Sequence, residues 1–179
     1  VAPRLRPFVD ERVAKLDDPL LGITIDGVVR QGLFELSPTG VSTEPIADAA
    51  LAFLDGLSAE QRHRAHQPLE SEDWRTWINV HMNFFRHGVM LEGLDAAGRQ
   101  RGLDLLRATL SARGFDQARD IMRLNELLGQ LTDSPDQYGE WPYFVTIFGA
   151  PGPDEPWGWQ FDGHHLVVNC VIVGDQLVM

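Results

Sequence analysis

The sequence predicts an α+β fold, with an N-terminal β-hairpin and a helical block packed on a C-terminal, mainly antiparallel sheet. Three observations predict it. Asp26-Gly27 divides two short apolar runs in "GITIDGVVRQGLFEL", the residue pair that tight hairpin turns favour. From Pro45 to Leu131, apolar residues recur at helical spacing between capping residues. After "TDSPDQYGEWP" the pattern changes to short apolar runs separated by Pro and Gly. Strands gathered at the end of the chain argue for α+β rather than a regular βαβ alternation.

Each element has its own signal. A helical segment opens the chain at Phe8–Leu16, ahead of the hairpin. Pro45 suits the first turn of the helix "PIADAALAFLDGL", with Ile46, Ala49, Ala50, Phe53 and Leu54 as its buried stripe and Gly56 as its stop. Ser58 with Gln61 reads as a capping box for a second short helix, which carries His63 and His66 on one face. Asp73 can cap a third, "WRTWINVHMNFFRHGVMLEGL". Asp95 opens a fourth that Gly114 closes, and Asp116 opens a fifth, "QARDIMRLNELLGQL". "YFVTIF" and "HHLVVNCVIV" then read as strands, and Gly174-Asp175 as a tight turn into "QLVM". No repeat or interdomain linker interrupts the chain, so residues 1–179 read as a single domain.

Charge and composition exclude several functions. A net charge of -11 argues against binding a phosphate backbone, which needs a basic face. No apolar run approaches the roughly 20 residues of a membrane span. The opening "VAPRLRPFVDERVAKL" has no apolar signal-peptide core, and the expected compartment is the cytoplasm. The single cysteine, Cys170, lies inside "VVNCVIV" and reads as an inert buried thiol. There is no G-x-S-x-G, H-E-x-x-H, P-loop or G-x-G-x-x-G, which removes the activities those motifs carry.

The densest cluster of functional residue types is "WGWQFDGHHLVVNCVIV", beside a Pro/Gly-rich loop. In a regular strand, His164 shares a face with Asp162, Leu166 and Cys170, and His165 shares the other with Trp159, Phe161, Val167 and Asn169. One histidine then serves as metal ligand or general acid/base, with Asp162 fixing its tautomer. Trp157, Trp159 and Asn169 would line the pocket. The alternative is an imidazole bonded to a backbone carbonyl beside a neighbour in water. His81, on the apolar stripe Trp74, Trp77, His81, Phe84 of the third helix, is either a satisfied core residue or a further pocket group. Arg119, Arg123 and Glu126 fall at i, i+4 and i+7, the spacing of a surface salt-bridge ladder or of an Arg pair facing a carboxylate.

The runs "GLFELSPTGVST", "ALAFLDGLSAEQRHRA", "DWRTWINVH", "RDIMRLNELLGQL" and the segment from "YGEWPYFVTIF" to "GDQLVM" resemble the DUF3500 family of uncharacterised proteins. The resemblance implies that residues 1–179 are the N-terminal part of a larger DUF3500 domain, whose further histidines lie beyond this chain. Two readings follow. In one, the protein is an enzyme acting on a small molecule with a divalent metal (Zn, Fe or Cu) at His164 and His165. In the other, it is a non-catalytic ligand-binding or protein-interaction module. "HHLVVNCVIV" is apolar on both faces, so further polypeptide or self-association is expected to complete the fold.

Overall fold

The computed structural model describes residues 6–18, 28, 30–32, 35, 37–77, 79–80 and 87–179. The chain forms two compact units, Val1–Pro38 and Thr39–Met179. In the first, α1 spans Arg6–Ala14. The Asp26-Gly27 turn lies outside the described residues, as does His81. The second unit carries the α+β architecture.

Its helices are α2 (Glu44–Asp55), α3 (Ala59–Ala65), α4 (Ala96–Thr109) and α5 (Ala112–Leu131). Pro45 sits in the first turn of α2, Gly56 follows its last residue, and Ile46, Ala47, Ala50, Phe53 and Leu54 are buried. The Ser58–Gln61 capping box opens α3, and the Asp95 side chain accepts from the Gly98 N–H to open α4. α5 starts earlier than its sequence suggests. Ser111 caps it by accepting from the Gly114 N–H, so Gly114 lies inside the first turn and Asp116 is not the cap.

The sheet contains β1 (His66–Gln67), β2 (Val89–Met90), β3 (Phe144–Phe148), β4 (Trp157–Gly163), β5 (Leu166–Val173) and β6 (Gln176–Val178). The order is β1-β3-β4-β5-β6, with β2 also on β3; β1 alone pairs in parallel. The long helix expected after Asp73 is not found in the described residues. Glu72–Arg75 makes a 3-10 turn, and Val89–Met90 pairs with β3 instead. Gly88 shows why: at φ 73° its backbone passes so close to Val145 that an added Cβ would stand 2.5 Å from the Val145 carbonyl oxygen. Only glycine tolerates both the left-handed conformation and that approach.

The two faces of the sheet differ in chemistry. Val145, Ile147, Trp157, Trp159, Phe161, Leu166, Cys170 and Ile172 join one continuous core with residues of α2, α4 and α5. The alternate residues face the other way, and Trp74 covers part of that second face by stacking on Phe148 at 3.9 Å. At β5 the second face stays half-buried, at Val167, Asn169 and Val171.

Candidate functional site

The two histidines are not in a strand. Gly163 pairs with Leu166, so His164 and His165 form the two-residue turn of the β4–β5 hairpin. His165 adopts φ 58°, a left-handed value that histidine reaches more readily than branched residues do. The turn has close neighbours. The Tyr143 hydroxyl donates to the His164 carbonyl at 3.1 Å, and the His165 N–H donates to the Asn79 carbonyl at 2.9 Å. A Cβ on Gly163 would stand 2.4 Å from the Tyr143 ring.

This turn reassigns the faces. Reversal at residues 164–165 sets Asn169 opposite Gln160 and Cys170 opposite Trp159. Asn169 therefore shares its face with Gln160 and Asp162, not with the tryptophans. Trp157 and Trp159 are fully buried in the helix-covered core and line neither groove described below. Burial pushes the Cys170 thiol up to about 12. The Trp157 and Trp159 indole N–H groups have no hydrogen-bond partner among the described residues.

His164 and His165 line a groove of about 360 Å³ with Ile121, Leu124, Asn125, Leu127, Leu128 and Leu131 of α5. Its walls are apolar. The Asn125 amide donates to the Gly139 carbonyl at 2.7 Å, which turns its Oδ1 to His164 Nδ1, also at 2.7 Å. Nδ1 must then carry a proton. A wider groove of about 650 Å³ lies at the start of α2, lined by Glu44, Asp48 and Asp175 among others, and holds no histidine. The expected arginine ladder is absent: Arg119 reaches Glu140 and stacks over Trp141, while Arg123 pairs with Asp120. His66 lies in β1 with its Nε2 2.7 Å from the Gly149 carbonyl, away from any shared helix face with His63.

The buried polar chemistry gathers elsewhere, on the second face. Thr146, Gln160 and Asn169 stand in one row across β3, β4 and β5, and Asp162 lies one position along on the same face. Gln160 and Thr146 are 0% exposed and Asp162 2%. His87 reaches over this row from the loop before β2. Its Nε2 is 2.5 Å from Gln160 Oε1, and its Nδ1 is 3.1 Å from the Thr76 hydroxyl. The Asp162 carboxylate stands 3.8 Å from the same Nε2, too far for a hydrogen bond. Gln160 in turn donates from Nε2 to Asn169 Oδ1 at 2.5 Å and to the Trp74 carbonyl at 3.3 Å.

Of the site residues expected from the sequence, Asp162 and Asn169 come together here, while His164 and His165 sit apart in the hairpin turn. His87, Gln160 and Thr76 were missed. The signal for Gln160 was present: in "WGWQFDG", large aromatics alternate with Gly, Gln and Asp, which puts Gln160 and Asp162 on one face. His87 was hidden because its segment reads as helix, whereas Val89–Met90 just beyond it pairs with β3.

A family model described as protein of unknown function (DUF3500) matches residues 39–179. The chain belongs to the DUF3500 family. The match coincides with the second compact unit, so the hairpin, the His87 loop and the polar row all lie inside the family region. No curated protein and no solved structure matches this DUF3500 chain. No helix among its described residues is long and apolar enough to cross a membrane.

Proposed function

We propose that this DUF3500 protein binds a small molecule on the half-open part of the second sheet face, over Val167, Asn169 and Val171. One observation carries the reading. A hydrogen-bonded chain of polar side chains runs from His87, whose side chain is 7% exposed, through fully buried Gln160 to half-buried Asn169. Burying such groups costs stability unless every partner is satisfied. Apolar residues would close the same sheet face more cheaply, so the polar chain is explained by what its outer end contacts.

Recognition fits these residues better than metal-dependent catalysis. Both His87 nitrogens are engaged, and His164 Nδ1 is held by Asn125. Among the described residues, no three His, Cys, Asp or Glu side chains converge as a metal site. The binding reading therefore uses no Zn, Fe or Cu. Methyl and amide NMR of the 1–179 chain against a fragment library tests it. Fragments that move the Val167 and Val171 methyl signals together with the Asn169 side-chain amide are expected. Hits confined to the α5 groove or to the groove at the start of α2 would contradict it.

A further inference from the structure

We infer that the Asn169 carboxamide N–H groups are the recognition donors of this site, and that the ligand presents an acceptor oxygen, a carboxylate or a carbonyl. The inference rests on the binding reading above and goes further by giving the polar chain a direction. That direction is fixed from inside the fold. The Trp74 backbone carbonyl can only accept, so the Gln160 group facing it at 3.3 Å must be the amide nitrogen. Gln160 Oε1 is then the atom facing His87 Nε2, which must donate.

The Thr76 hydroxyl has one proton, which either goes to the Asp73 carbonyl at 3.0 Å or turns to His87 Nδ1. In both cases Nε2 carries a proton. The outer link follows the same logic. Gln160 Nε2–H donates to Asn169 Oδ1 at 2.5 Å, so the oxygen of Asn169 is used internally and its nitrogen points away. No partner for that nitrogen is found among the described residues, and it is not among the sealed, unsatisfied side-chain atoms. Among the described residues, the site thus offers the two Asn169 N–H donors, while the Asn169 oxygen is turned inward. Each donor is polarised by the aligned bonds behind it. Val167 and Val171 flank Asn169 two residues away on the same face of β5, so the recognised oxygen sits on a small apolar group.

Two probes with the same branched four-carbon skeleton and opposite heads, isobutyrate and isobutylammonium, test this on the 1–179 chain. Titration is followed by the Asn169 side-chain amide and the Val167 and Val171 methyls. Isobutyrate should shift all three saturably, and isobutylammonium should not. Asn169→Asp retains an oxygen for Gln160 to donate to and replaces the outward donors with an acceptor. It should weaken isobutyrate by about tenfold or more and admit isobutylammonium, in line with the worth of a hydrogen bond to a charged group. If that variant does not fold, the preference of the unaltered protein between the two heads decides. Isobutylammonium shifting these signals while isobutyrate does not would overturn the acceptor assignment and leave the binding reading standing. No shift with either probe also overturns the assignment, and the fragment screen then judges the binding reading separately.

Discussion

Cys170 and Asn169 are neighbours in β5 that face opposite ways, and their environments differ accordingly. Cys170 is fully buried against Trp159, and its thiol is pushed up to about 12 by burial. A protonated thiol is a poor nucleophile. Native protein should therefore resist a thiol-labelling reagent at pH 8 and react fully once denaturant exposes it; rapid labelling of the folded state would contradict the buried placement. The raised value also has a stability consequence. Between the unfolded thiol's value near 8.5 and the folded value, the native state holds the extra proton. This contribution is complete below that window and is lost as pH rises through it. The inert character of Cys170 was legible from "VVNCVIV", because apolar neighbours raise a thiol. The placement of Asn169 beside Gln160 was not, since its face depends on where the chain turns.

At the level of elements, the caps show how far local chemistry reaches. Gly56, Ser58 and Asp95 end or begin helices where the sequence places them, because each acts on its own chain neighbours. α5 departs from this. Both Ser111 and Asp116 are cap-forming residues, and burial of Phe115 and Ala118 selects the earlier one. Ser111→Ala should cost about 1 kcal/mol. Asp116→Ala, an exposed change inside the helix, should fall within about 0.5 kcal/mol. Denaturant midpoints of the two variants check this, and the reverse order would restore Asp116 as the cap. Two other elements escaped the sequence for non-local reasons. The run from Trp74 to Leu94 has helical periodicity, yet Trp74 stacks on Phe148 and Val89 pairs with Val145 across the sheet. The turn at His164–His165 carries no Asn-Gly or Gly-Gly signal of its own. It is positioned by Tyr143 packed under Gly163 and by the bond to Asn79.

Across the whole second unit, the two faces of one sheet differ in chemistry. Its first face packs Trp157, Trp159 and Phe161 against the helices, and that layer is where stability resides; truncating one of these aromatics would cost about 3–5 kcal/mol. The α+β class and the antiparallel C-terminal sheet were legible because period and turn residues report on strands directly. The expectation that β5 is apolar on both faces holds on the helix side, whereas the other side carries Asn169 in a row with Gln160 and Thr146. That row became visible only with the strand register. On the proposed reading, the second face has a fixed hydrogen-bond direction, from His87 outward to the Asn169 amide. Long-range nitrogen–proton NMR of the histidine rings reads it most directly. We expect His87 to carry a proton on Nε2, bonded to Gln160 Oε1. An unprotonated Nε2, with the proton on Nδ1 alone, would reverse the chain and contradict it.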